Sequence, residues 1–360
     1  MDRSRALQGH PTHFWRRLEN GQVECGICPR ACHLQEGQRG FCFVRGNVGG
    51  AVVLHAYGLS SGFCIDPIEK KPLNHFLPGA SVLSFGTAGC NLGCQFCQNW
   101  DISKSRTTDS LSAPASPEAI AEAAKAQGCR AVAFTYNDPV VFHEYAVDTA
   151  KACHAAGVRT VAVSAGYQNP EPRAEFYAHM DAVNIDLKAF SERFYQRVCG
   201  GQLAPVLETL SFIKHETATW LEITTLLIPG ENDSTPELEA LTHWIFEHLG
   251  PDVPLHFSAF HPDWKMRDTA PTPLATLLEA RRIAKHNGLR HVYVGNVACP
   301  EGESTLCHQC GKRLIGRDRY KIFEWQLSPE GACLACGAVC AGVFEPGPGT
   351  WGTGRKALRI

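Results

Sequence analysis

Three cysteines, Cys90, Cys94 and Cys97, fall within "GTAGCNLGCQFCQNW" at a C-x3-C-x2-C spacing. Thiolates this close together serve one metal centre, yet a closed tetrahedral site takes four ligands. The nearest downstream cysteine, Cys129, opens the next apolar run and leaves the loop. A four-iron cubane held by three protein thiolates keeps one iron without a protein ligand, and that iron can chelate a small molecule through an amino and a carboxylate group. The loop reads as an iron-sulfur site built to stay open.

Two other cysteine groups have enough ligands to close. Cys307-x2-Cys310 and Cys333-x2-Cys336 are separated by 22 residues, the knuckle, hairpin, knuckle order of a zinc ribbon or a rubredoxin-like site. Zinc is the expected occupant, with iron as the alternative. Cys340 competes as fourth ligand through a second C-x2-C-x3-C run. Near the start, "CGICPRACHLQEGQRGFC" sets Cys25, Cys28, Cys32 and Cys42 at C-x2-C-x3-C-x9-C. Four thiolates there predict a saturated metal site, and ligand softness suits zinc and an iron-sulfur cluster equally. The remaining Cys64, Cys129, Cys153, Cys199 and Cys299 are scattered and read as small buried hydrophobes.

The elements that position these groups follow from periodicity. From residue 81 onward, apolar runs alternate with helical segments, the pattern of βα units feeding a parallel sheet. "SVLSFGTAG" precedes the helix "SPEAIAEAAKAQG", where Ser116 can cap, Pro117 suits the first turn and Gly128 the stop. Six strong strands and a weaker seventh, "RHVYVGNV", are expected. Several end in polar residues: Asn137 and Asp138, Ser164, Asp186 and Lys188, Thr224 and Thr225, and His261. The carboxyl end of a parallel sheet is where ligands bind. An α/β architecture follows, with a Cys-rich module over 1–75, a parallel barrel or open sheet over 76–300 and a ribbon-like module over 301–360.

Composition narrows the function. The 360 residues carry 34 Lys plus Arg against 36 Asp plus Glu, so no global charge favours nucleic acid or an anionic membrane. Basic residues Lys312, Arg313, Arg317, Arg319 and Lys321 leave a nucleic-acid-binding ribbon as the competing reading. No run approaches the roughly 18 apolar residues of a membrane span, and the first residues lack a signal-like apolar core. A cytoplasmic protein is expected, and 17 cysteines then argue for metal or redox chemistry over disulfides.

The cysteine loop after the first barrel strand, with aromatic Phe96 before its last cysteine, resembles the radical SAM superfamily. "CGICPRAC", "GQRGFC", "TYNDP", "NIDLKAF", "TTLLIPGEND", "FHPDWKM" and "VYVGNV" look like the activating enzymes of the pyruvate formate-lyase activase type. They are more similar still to the radical SAM component of the AmmeMemoRadiSam system. The resemblance implies a partial (β/α)6 barrel binding a [4Fe-4S] cluster and S-adenosyl-L-methionine at its carboxyl end. By position, Cys90, Cys94 and Cys97 would hold the cluster, and Asn137 and Asp138 would hold the methionyl amino group. Asp138 stands where the family more often has Glu, so its reach is one methylene shorter. Asp186 and Lys188 match the "DLK" that contacts the cofactor or organises a cation, Ser164 a third-strand polar contact, His261 a histidine after the last strand, and "VYVGNV" the adenine-side wall. The implied reaction starts from a low-potential flavodoxin or ferredoxin and ends in hydrogen abstraction by a 5'-deoxyadenosyl radical. A protein substrate carrying a glycyl radical, and AMMECR-type and Memo-type partners, belong to the same expectation.

Overall fold

The computed structural model describes residues 9–106, 111 and 113–360. Nine strands form its main sheet: β1 (Phe63–Pro67), β2 (Ser81–Phe85), β3 (Ala131–Phe134), β4 (Arg159–Ser164), β5 (Ala182–Asp186), β6 (Trp220–Leu227), β7 (Leu255–Ala259), β8 (Val292–Gly295) and β9 (Lys356–Leu358). Their order is β8-β7-β6-β5-β4-β3-β2-β1-β9. Strands β2 to β8 are mutually parallel, while β1 runs antiparallel to β2 and β9 antiparallel to β1. The six βα units and the seventh strand read from the sequence are therefore present, and two antiparallel strands extend one edge.

Six helices cover the outside: α1 (Pro117–Ala126), α2 (His143–Ala155), α3 (Pro170–Tyr177), α4 (Ala204–Glu216), α5 (Thr235–Leu249) and α6 (Leu274–His286). Ser116 accepts the Ala119 N–H at 3.2 Å and Pro117 opens the first turn of α1, as its sequence predicts. The inner parallel strands are buried on both faces, which explains the continuous apolar runs of "AVAF" and "VRTVAV".

The floor of the barrel is filled by the segment between β1 and β2. Ile68, Leu73, Phe76 and Leu77 pack against Val82, Ala131, Ala133, Val161 and Ala182. Alanine at three of these inward positions leaves the volume the segment occupies. Its polar backbone is met by side chains: Glu222 on β6 accepts the N–H groups of Asn74 and His75 at 3.0 and 2.7 Å, and Asn184 on β5 donates to Pro72 O at 2.8 Å. With its floor sealed, the barrel offers ligands its carboxyl end. Residues 63–75, grouped with the N-terminal module by composition, thus lie with the barrel sheet.

The N-terminal module has two small antiparallel sheets, one of His10–Pro11, Arg45–Val48 and Ala51–Leu54, the other of Trp15–Arg17, Val23–Cys25 and His33–Leu34. At the other end, the strands Arg313–Asp318 and Lys321–Trp325 form the hairpin expected between the two C-x2-C pairs. Among the described residues no helix is long and apolar enough to cross a membrane.

Candidate active site

The cysteine loop leaves the end of β2 and is fixed from several sides. Gly89 has φ +77°, and a Cβ there would lie 1.9 Å from Cys42 O, so both the turn and the contact require glycine. Asn137, just past β3, commits its whole amide to this turn. Its Oδ1 accepts the Thr87 N–H at 2.8 Å, and its Nδ2 donates to Thr87 Oγ1, Ala88 O and Gly89 O at 3.1, 3.1 and 2.9 Å. Gly93 N–H donates to Cys199 O at 2.7 Å and Gln95 N–H to Val198 O at 2.9 Å. Those carbonyls are presented by the wide π turn Tyr195–Cys199, a local irregularity of the kind that gathers at functional sites.

The three thiols open onto a cavity of about 300 Å³ at the carboxyl ends of the strands. Asp138 and Ser164, Asp186 and Lys188, Thr224, Ser258 and Asn296 line it, one contribution after another from β3 to the end of β8. Register puts Asp186 beside Thr224, and Ser258 beside Leu226 and Gly295. Strand alternation separates the two threonines: Thr225 turns away and donates to Leu187 O at 2.8 Å, whereas Thr224 Oγ1 faces the cavity, buried and without a partner.

Charge in the cavity is arranged around the loop. Lys188 Nζ lies 3.0 Å from Asp186 Oδ2 and 5.7 Å from the Phe96 ring centre. Burial alone would lower its ammonium pKa, but Asp186 and the Cys94 and Cys199 thiols outweigh it and hold it well above its usual value. Cys94 is the thiol held lowest, at about 6, by a hydrogen bond from Cys199 and the positive charge of Lys188 and Lys104. Burial raises Cys90 to about 12 and raises Cys97 as well. Asp138 is also raised by burial, although the N–H groups of Ala165 and Val140 and the Ser164 hydroxyl donate to it at 2.9, 3.1 and 3.0 Å.

Most residues singled out from the sequence converge here: Cys90, Cys94, Cys97, Phe96, Asn137, Asp138, Ser164, Asp186 and Lys188 all line the cavity. His261 is exposed, two residues past the end of β7, and lies outside the lining. Asn137 both lines the cavity and braces the loop. Sequence reasoning missed Lys104, which sits in the cavity wall and donates to Leu92 O at 2.6 Å, and Cys199, taken for an inert hydrophobe but set against Cys94. The signal for Lys104 was weak: a lysine seven residues past the last cysteine has no periodicity to mark it.

The closed-looking groups differ from the open one. Cys307, Cys310, Cys333 and Cys336 place their sulfurs within 4.8 Å of one another, with Cys307 to Cys336 at 3.6 Å and Cys310 to Cys333 at 3.8 Å. A tetrahedron with metal-sulfur bonds of ~2.3 Å has edges of about 3.8 Å. Cys340 stands apart from this tetrad and packs on His75, its Sγ 3.8 Å from Nδ1. Of the five basic residues nearby, Arg317 is buried and donates to Thr305 Oγ1 and Asn74 O at 2.8 and 2.6 Å, and Arg313 pairs with Glu324, so neither lies free for a phosphate backbone.

Residues 85–241 match the Radical SAM superfamily. The chain is 42% identical over 326 residues to the uncharacterized protein MJ0808 of Methanocaldococcus jannaschii, covering 90% of this chain and 96% of that protein. Among solved structures, a domain of the pyruvate-formate lyase-activating enzyme from Bacteroides vulgatus matches at 17% identity and TM-score 0.41, over 46% of this chain and 99% of that one. A radical SAM methyltransferase from Sphaerobacter thermophilus matches at 15% identity and TM-score 0.48, over 61% and 67%.

Proposed function

The chain belongs to the radical SAM superfamily, and from that premise we propose that Cys90, Cys94 and Cys97 hold a [4Fe-4S] cluster at which S-adenosyl-L-methionine is cleaved reductively. With cluster and sulfonium bound, the site would supply a 5'-deoxyadenosyl radical that takes a hydrogen atom from a substrate. The residues present suit both groups. Among the described residues three thiols and no fourth line the cavity, and the buried Thr224 hydroxyl in the same lining has no hydrogen-bond partner. An orphaned buried hydroxyl costs on the order of 1–3 kcal/mol unless a ligand meets it.

The chain's own groups divide the work. Lys188, held cationic beside Asp186, offers a fixed positive charge to an anionic ligand group, and Thr224 offers a donor one strand away. Ser164 and Asp138 brace the ends of β3 and β4 through their mutual hydrogen bond and present a polar wall. Leu92, Val163 and Leu226 add apolar surface to the same lining. Asn137 and the π turn hold the loop against displacement.

A target on a partner chain, as in activation of a glycyl radical, is the finer form of this reading. What supports it is the extent of the trough: the cavity shares lining residues with two neighbours of about 430 and 900 Å³, room for an extended backbone beyond a nucleoside. AMMECR-type and Memo-type proteins are the partners suggested by sequence resemblance. For the Cys307, Cys310, Cys333 and Cys336 tetrad we propose zinc, whose tetrahedral thiolate geometry its edges accommodate.

The test is anaerobic incubation of the reconstituted chain with S-adenosyl-L-methionine and dithionite, reading 5'-deoxyadenosine. Wild type should form it and Cys94→Ala should not; formation by the variant at the wild-type rate would overturn the assignment.

A further inference from the structure

The thiolate ligands of the N-terminal group suit zinc and an iron-sulfur cluster equally. Cys25, Cys28, Cys32 and Cys42 all line one small void of about 10 Å³, bounded also by Arg45, Val141 and Asn91. The C-terminal tetrad supplies the geometric standard for a single ion. There, every sulfur is within 4.8 Å of every other. Among the described residues, no three of the N-terminal four satisfy that limit, although all four face the same space. Four thiolates around a lone ion would stand ~2.3 Å from its centre, which leaves no room between them for even a water-sized sphere. Here such a sphere fits. Thiolates on the corners of a four-iron cubane stand farther apart, because each is attached to a different iron. The loop of Cys90, Cys94 and Cys97 behaves in the same way: its three sulfurs face one cavity yet also fall outside the tight limit.

We propose that Cys25, Cys28, Cys32 and Cys42 bind a second four-iron cubane, fully ligated by protein and distinct from the open one. Its surroundings suit a buried inorganic core. Cys25, Cys28 and Cys42 are buried, Gly40 leaves Cys32 Sγ 3.5 Å from where a Cβ would stand, and the Cys25 N–H bonds to Cys32 O at 3.0 Å. The site also abuts the open one. Cys42 O packs against Gly89, Asn91 lines the void one residue after Cys90, and Arg30 donates to Asn91 O and Gly200 O. A cluster there would clamp the N-terminal module onto the loop that carries Cys90.

The inference rests on the proposed function only for its comparison with the open loop, and the experiment separates the two. The full chain is reconstituted anaerobically with iron and sulfide beside the triple variant Cys90→Ala/Cys94→Ala/Cys97→Ala, and iron, acid-labile sulfide and zinc are measured with Mössbauer spectra. The triple variant should retain about half of the wild-type iron and sulfide, with the spectrum of a four-iron cluster. Cys28→Ala/Cys32→Ala should lose the complementary half; should it fail to fold, the triple variant decides alone. Loss of all cluster iron from the triple variant, with or without a second zinc in its place, overturns the proposal. Half of the iron retained by the triple variant, beside a wild type that makes no 5'-deoxyadenosine, would sink the proposed function and leave this inference standing.

Discussion

The cysteine loop after β2 and the C-terminal tetrad both gather thiols for a metal, and the protein supports them in opposite ways. The tetrad rests on two near-identical knuckles. In each, the glycine after the second cysteine takes a left-handed turn, Gly311 at φ +74° and Gly337 at φ +76°, and donates to the first cysteine's carbonyl at 3.0 and 2.8 Å. Local backbone suffices, and Cys310 and Cys336 stay exposed. The loop, by contrast, draws on distant elements: Asn137 after β3, the π turn after β5, and Cys42 from the N-terminal module. Four metal-sulfur bonds define a tetrahedron by themselves. Three do not, so the protein must supply the rigidity the missing ligand would have given.

The sharpest way to break this contrast is to remove one ligand from each. Cys97→Ala should abolish 5'-deoxyadenosine formation, a loss larger than the roughly 10–100-fold that outer partners of a metal site usually carry. Cys310→Ala should release the C-terminal metal and leave the loop's chemistry within about that outer-partner range. Proteolysis and hydrogen exchange should localise its damage to residues 305–340. Equal loss of activity in both variants would show that the two sites are not supported independently.

Asn137 tests the support itself. Asn137→Ala strands the Thr87 N–H and two carbonyls in a buried turn, at about 1–3 kcal/mol for each unsatisfied group. Cluster iron and activity should fall together by about 10–100-fold, as for removal of an outer partner. A variant with full iron and merely a higher KM for S-adenosyl-L-methionine would return Asn137 to the role of a ligand contact.

Much of this was legible before any coordinates. The βα alternation, the cap at Ser116 and the cysteine spacings depend on local chemistry, which sequence carries directly. What sequence carries poorly is non-local. His261 follows β7 by two residues, and the strand's own contribution to the cavity is Ser258. Asn137 carried a family role, while its bonds depend on a turn 50 residues away in the chain. Cys199 looked like any scattered cysteine until the π turn brought it to Cys94. Strands β1 and β9 were missed because an antiparallel edge formed from distant segments has no βα rhythm.

The smallest expected effect concerns how the C-terminal module is fastened to the barrel. A chain of hydrogen bonds runs from Arg317 to Thr305, from Thr305 to Tyr293 at 2.8 Å, from Tyr293 to His75 at 2.5 Å, and from His75 Nδ1–H to Ala341 O at 2.6 Å. That order needs His75 neutral, with Nε2 accepting. His291 packs on it with ring centres 4.4 Å apart; neither of its ring nitrogens has a hydrogen-bond partner among the described residues, and Nε2 lies 4.0 Å from Asp252 Oδ1. Burial, reinforced by His291, lowers the His75 pKa well below its usual value. Burial lowers His291 to about 4; His308 and Arg290 add to the shift, while Asp252 and Glu222 oppose it. Both imidazoles are therefore neutral when folded and take up protons more readily when unfolded. Their contribution is complete above pH ~6.5, the unfolded value, and falls as pH drops toward 4, by roughly 3 kcal/mol at most for His291. Urea midpoints measured across that window should fall with pH in wild type and less steeply in His291→Phe, which keeps the ring packing and removes the titration. Equal slopes in the two proteins would mean that the buried histidines do not set the acid sensitivity of this junction.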